Sequence, residues 1–304
     1  MTPHPPDSRP NPPLSVVPPH ADNAVPPPLP PPLTPQAIRQ PKPWSNWLAA
    51  FLVLTFYPLL IGMISYLSKT EGAGPMLMPE LLPLVITLSV ELMFFGVIFL
   101  VAWVLTRPTA HQLFFRRDRP WKTLLLSLGW SVGLRFGLGI LVAMALAVVA
   151  VFQGGWPEDL SGWSADINAV VDSEQLANNP LYLIVNMTFV SFVVAGFREE
   201  LWRAGMLACL MMMFPRLRGS LLGRIGMVLF VAAIFGLGHL PQGVGGVCLT
   251  AMLGAGLGAI MVWRWSIWEA VLAHGFFNAA SFGLLYVIAR YPETFKALSE
   301  QMGK

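Results

Sequence analysis

After Trp44 the chain is dominated by seven long apolar stretches, at about 47–68, 80–106, 123–152, 181–213, 225–240, 246–263 and 266–290. A helix rises about 1.5 Å per residue, so roughly 20 apolar residues cross a hydrocarbon layer about 30 Å thick. Each stretch reaches or approaches that length. Lipid offers no partners to a bare backbone, so such stretches must be helices that bundle together. The stretches at 123–152 and 181–213 exceed a perpendicular span, and each reads as one tilted or kinked helix or as two. The expected fold is all-α, a polytopic transmembrane helical bundle of seven to eight spans.

Composition agrees. Of 304 residues, 55% are hydrophobic and 12% charged, against about 25% charged in soluble domains. The mean hydropathy of +0.61 excludes one large water-soluble core. Net charge is only +3, and no stretch interleaves basic and aromatic residues, so nucleic acid is not an expected partner.

Residues 1–43 hold 17 of the 28 prolines. Proline lacks the N–H and fixes φ, so this segment reads as a disordered, partly polyproline-II tail. It lacks the basic-then-apolar order of a signal peptide. The expected division is a tail at 1–43, N-terminal membrane helices at 44–180, a catalytic core at 181–290 and a C-terminal tail at 291–304.

Arg107, Arg116, Arg117, Arg119 and Lys122 crowd one loop, and Arg216, Arg218 and Arg224 another. Positive loops stay cytoplasmic. The loop at 153–180, with Glu158, Asp159, Asp166, Asp172 and Glu174, is acidic and expected outside. The N-terminus is then cytoplasmic, in a multi-pass protein of a bacterial plasma membrane. Cys209 and Cys248 read as packing residues. Gly254 and Gly258 form a small-xxx-small pair suited to close helix packing, without the context of a nucleotide loop.

Charge inside a bilayer is costly and calls for a reason. The fourth stretch carries Arg198, Glu199, Glu200 and Arg203 within Phe197–Arg203. Of five histidines only His239 and His274 fall in apolar stretches. His274 and Asn278 are i,i+4 and share a helix face, as do Glu199 and Arg203. A carboxylate removed from water becomes a stronger base, able to take a proton from a water that one histidine helps to hold. The other histidine and Asn278 could bind the oxyanion of a tetrahedral intermediate. That is amide hydrolysis with no covalent enzyme intermediate.

These segments resemble the signature of the CPBP family, the membrane CAAX-processing and bacteriocin-processing endopeptidases, over about residues 182–282. The signature is EExxxR, then FxxxH, then HxxxN. Phe235…His239 and His274…Asn278 match the last two at full spacing. The first is shifted: only Leu201 and Trp202 precede Arg203, and Ala204 stands at the expected arginine. Arg203 is therefore i+4 from Glu199 and i+3 from Glu200, and either pairing is open. The resemblance implies a glutamic intramembrane endopeptidase. In it Glu199 is the general base, His239 positions the water, and His274 with Asn278 forms the oxyanion site. Glu200, Arg203 and Phe235 support them. No cofactor is implied, and the partners are membrane lipid and a peptide or protein substrate, lipidated ones included.

Rival readings exist. Glu199, His239 and His274 could ligate zinc with one position open, although no HExxH is present. The four charges could be a structural ion-pair network. The fold could be a non-catalytic scaffold or bacteriocin-immunity protein, or a proton-coupled transporter. Glu91, Arg135 and Glu269 match no motif and read as snorkelling or helix-pairing charges.

Overall fold

A computed structural model describes residues 42–70, 77–116, 119–155 and 165–294. The expectations placed on most of the proline-rich tail, on Arg117, Glu158 and Asp159, and on the end of the chain lie outside these residues.

The described residues are helical apart from turns and one isolated bridge between Leu77 and Val171. In chain order they are α1 (Trp44–Thr70), α2 (Leu81–Thr106), α3 (Pro120–Gln153), α4 (Ser173–Asn178) and α5 (Pro180–Val185). A π-helical segment (Asn186–Arg198) follows, then α6 (Glu199–Met213), α7 (Pro215–Arg218), α8 (Leu221–Leu237), α9 (Gly243–Arg264) and α10 (Ile267–Arg290). Six are long and apolar enough to cross a membrane, taking α5, the π segment and α6 as one rod, Pro180–Met213. Neither 34-residue rod is split in two. The apolar helix at the fifth stretch, α8, has 17 residues, about 25 Å.

Loop contacts sort the connections into two ends. Ile267 N–H donates to the Phe114 carbonyl (2.9 Å), Trp265 Nε1 donates to the His111 carbonyl (3.2 Å), and Gln112 reaches Met212 Sδ. The connections before α3, after α6 and before α10 therefore share one end, which carries Arg107, Arg216, Arg218 and Arg264. At the other, Leu77 N–H donates to the Val170 carbonyl (2.9 Å) and Asp166 N–H to the Gln242 carbonyl (3.0 Å).

The rod Pro180–Met213 positions the site. Its upper part is wound as a π-helix, and Ser191 Oγ donates to the Asn186 carbonyl five residues back (2.7 Å). This segment lies hard against α10. A Cβ on Gly275 would sit 2.3 Å from the Phe192 ring, so only glycine beside His274 allows the two helices to close. The lower part, α6, is buried along most of its length in the principal core, among Leu54, Phe95, Val231, Phe235 and Met261.

Helix α1 carries Pro58. Proline has no N–H to give the carbonyl four residues back, at Leu54. The Trp202 indole fills that place, donating to the Leu54 carbonyl at 2.8 Å. A break in one helix thus becomes the anchor of the helix that carries the acidic pair.

Candidate active site

Glu199 and Glu200 are consecutive on α6 and face different ways. Glu200 is fully buried and Arg203 is 1% exposed. Arg203 forms an ion pair with Glu200 Oε1, and the same oxygen accepts from His274 Nδ1 at 2.9 Å. The structure therefore pairs Arg203 with Glu200, three residues away. Among the described residues Arg203 Nε and Nη2 find no hydrogen-bond partner. Its guanidinium lies instead over the Phe235 ring, 4.4 Å from the centroid, a cation–π contact that is strongest where water is excluded. Gly254 of α9 leaves the room: a Cβ there would come within 2.9 Å of Phe235 and 3.4 Å of Arg203 Nη2.

Glu199 turns to a cavity of about 620 Å³. His239, His274 and Asn278 also line it, while Glu200 and Arg203 stand behind the wall. Glu199 Oε1 accepts from Arg198 Nη2 (2.9 Å). Oε2 lies 3.9 Å from His274 Nε2, too far for a direct hydrogen bond.

His239 sits just past the end of α8, in the turn before Leu240–Gln242, not inside a span. Its Nδ1 lies 2.9 Å from the Phe235 carbonyl. A carbonyl only accepts, so Nδ1 carries the proton and Nε2 is the free ring nitrogen. The Phe235 and His239 rings meet edge-on, centroids 4.7 Å apart. On His274 the proton on Nδ1 goes to Glu200. Its Nε2 accepts a proton when the ring is neutral and donates only when both nitrogens are protonated. Asn278 makes no side-chain hydrogen bond among the described residues, and its amide can donate in either case.

The site lies at mid-bundle. Pro58 on α1, Glu91 on α2 and Glu199 on α6 each stand 14 or 15 residues from the basic end of their helices, about 21 Å along the axis.

Three residues absent from the sequence motifs join this wall. Glu91 of α2 forms an ion pair with Arg198. Tyr57 of α1 is 6% exposed, lines the cavity, and its hydroxyl stands beside Arg198. Arg198 itself bridges Glu91 and Glu199. A charge in an apolar stretch was the available signal for Glu91, and nothing in sequence marked Tyr57. Glu269 is a helix-pairing charge: buried, it takes bonds from Arg264 and from Trp130 Nε1 (3.0 Å). Arg135 donates to the Phe277 carbonyl (2.6 Å) and lies over the Phe277 ring.

For a metal the fit is poor. Among the described residues no three His, Cys, Asp or Glu side chains are grouped to hold an ion, so Glu199, His239 and His274 do not form a ligand set as placed. What the arrangement provides is a carboxylate with one free oxygen, two histidines fixed through Nδ1, and an amide donor, all on an apolar cavity.

No curated protein and no solved structure matches the chain. Residues 180–280, which hold both glutamates, both histidines and Asn278, match the family model described as Type II CAAX prenyl endopeptidase Rce1-like. In that segment the chain is similar to the CAAX-protease (CPBP) family of membrane endopeptidases, and with six helices long and apolar enough to cross a membrane it is a multi-pass membrane protein.

Proposed function

We propose that the chain is an endopeptidase that hydrolyses a peptide bond inside the membrane with Glu199 as general base and no resident metal. The observation that carries this reading is the 3.9 Å separation of Glu199 Oε2 and His274 Nε2 on the wall of the cavity that His239 and Asn278 share. A polar pair at that distance suits a water held between them. Glu199 takes a proton from this water as its oxygen bonds to the peptide carbonyl carbon. Asn278 donates to the resulting oxyanion, joined by His274 when both its nitrogens carry protons. The C–N bond then breaks, and the proton on Glu199 leaves with the amine. His239 contributes its free Nε2 to hold the water.

The walls suit an apolar substrate. Leu88, Val190, Val194 and Phe282 line the cavity, so the substrate class is a membrane peptide or a lipid-bearing peptide. Arginines gathered at one end support a cytoplasmic placement for that end and for the start of α1.

The test is cleavage by the detergent-purified protein of a prenylated CAAX peptide and a membrane-peptide library. Wild type is run beside Glu199→Gln and His239→Ala, with and without a strong chelator. Cleavage that both substitutions abolish and the chelator spares is the expected result. Chelator sensitivity replaces the metal-free mechanism with a zinc one. A folded wild type that cleaves nothing favours a non-catalytic scaffold or immunity protein.

A further inference from the structure

Side chains at i and i+1 on an α-helix point about 100° apart and do not face each other. Arg198 and Glu199 are consecutive, yet Arg198 Nη2 lies 2.9 Å from Glu199 Oε1. The junction between the π segment and α6 falls between them: the first ends at Arg198 and the second begins at Glu199. The change of winding brings both side chains to one wall. Arg198 is held from its other side by an ion pair with Glu91 of α2, and all three line the cavity. Tyr57 of α1 and His239 complete that stretch of wall.

Occupation of Glu199 Oε1 has a chemical consequence. A carboxylate with both oxygens free can turn about its last torsion and present either one. With Oε1 fixed, Oε2 alone is offered, and it is Oε2 that faces His274 Nε2. Charge matters as well. Glu91 shares the cation, so the trio keeps one negative charge at the cavity.

We propose that Arg198 is a positioning residue for Glu199, and that Glu91, on a helix outside the matched segment, holds Arg198 in place for it. This rests on the reading of Glu199 as general base. Neither residue belongs to the EExxxR, FxxxH or HxxxN patterns.

Loss of Arg198 alone would strand two partly buried carboxylates side by side and endanger folding. The informative variant is therefore Glu91→Gln/Arg198→Met, which removes one charge of each sign. Its kcat is expected to fall about 100-fold with KM within about threefold and the melting temperature nearly unchanged, the pattern of a lost orientation effect. Arg198→Lys, which keeps the charge on a shorter reach, is expected to recover about tenfold of that loss. A second readout needs no turnover: labelling of Glu199 by dicyclohexylcarbodiimide, followed by peptide mass mapping. With Oε1 uncovered, labelling is expected to quicken about tenfold, since the reagent then reaches an oxygen that the Arg198 guanidinium covers in the wild type. A double variant with kcat within threefold of wild type, while Glu199→Gln is inactive, overturns the proposal and leaves the general base standing. If wild type cleaves nothing, the catalytic reading falls, and unchanged labelling then overturns the hold of Arg198 on Glu199 as well.

Discussion

Glu200, Arg203 and His274 form a buried polar group that the membrane environment makes unforgiving. Removing one member of a buried ion pair leaves the other charge without compensation, at about 3–5 kcal/mol. Arg203→Leu is therefore expected to lower the thermal midpoint in detergent sharply. An unchanged midpoint would show that Glu200 is compensated elsewhere. Tyr57 gives a milder case. Its buried hydroxyl stands beside the Arg198 guanidinium and not beside a neutral partner, and a hydrogen bond to a charged group contributes about 1.5–3 kcal/mol. Tyr57→Phe is expected to lower the midpoint without abolishing folding, and a midpoint at or above that of wild type would show that the hydroxyl makes no bond to Arg198.

Among the elements, α1 and α6 are joined by the freed carbonyl at Leu54. Trp202→Phe keeps the ring but drops the N–H that Leu54 receives. The expected cost is about 1–3 kcal/mol for a buried carbonyl left unpaired. Pro58→Ala supplies an N–H that can bond the same carbonyl. The double variant Pro58→Ala/Trp202→Phe should thus be less destabilised than the two single changes sum to, a coupling that thermal melts of all four proteins measure. Strict additivity would mean that the indole and the missing proline N–H are unrelated. The π segment is the other decision made at this scale. Its winding sets the direction of Glu199 and Glu200, and the residues from Asn186 to Arg198 read in sequence as ordinary apolar helix.

For the whole molecule, the two ends defined by the loop contacts give a test of orientation. In a cysteine-free background (Cys209→Ser, Cys248→Ser), a cysteine replacing His111 should react with a membrane-impermeant maleimide only from the cytoplasmic side. One replacing Ile167 should react only from the opposite side. The reverse pattern would invert the proposed topology and place the arginine-rich end outside.

Much of this protein was legible from its residues because hydrocarbon permits few backbone solutions. Apolar runs of membrane length become helices, as the structure shows at every one of the seven stretches, although α8 is only 17 residues long. The spacing of His274 and Asn278 placed both on one face, and both line the cavity. The charged cluster falls where the π segment meets α6, and its members Arg198 and Glu199 line the same cavity. Tertiary structure decided what side-chain spacing leaves open. It paired Arg203 with Glu200 and not with Glu199, and put His239 in a turn outside the helix. It also brought Tyr57 and Glu91 from α1 and α2 onto a wall more than 100 residues away in sequence. The physical reason is that helix periodicity fixes which residues share a face, whereas the partner across that face depends on how closely two helices approach. Here that approach is set by a glycine at 275, a proline at 58 and a change of helical winding at 198.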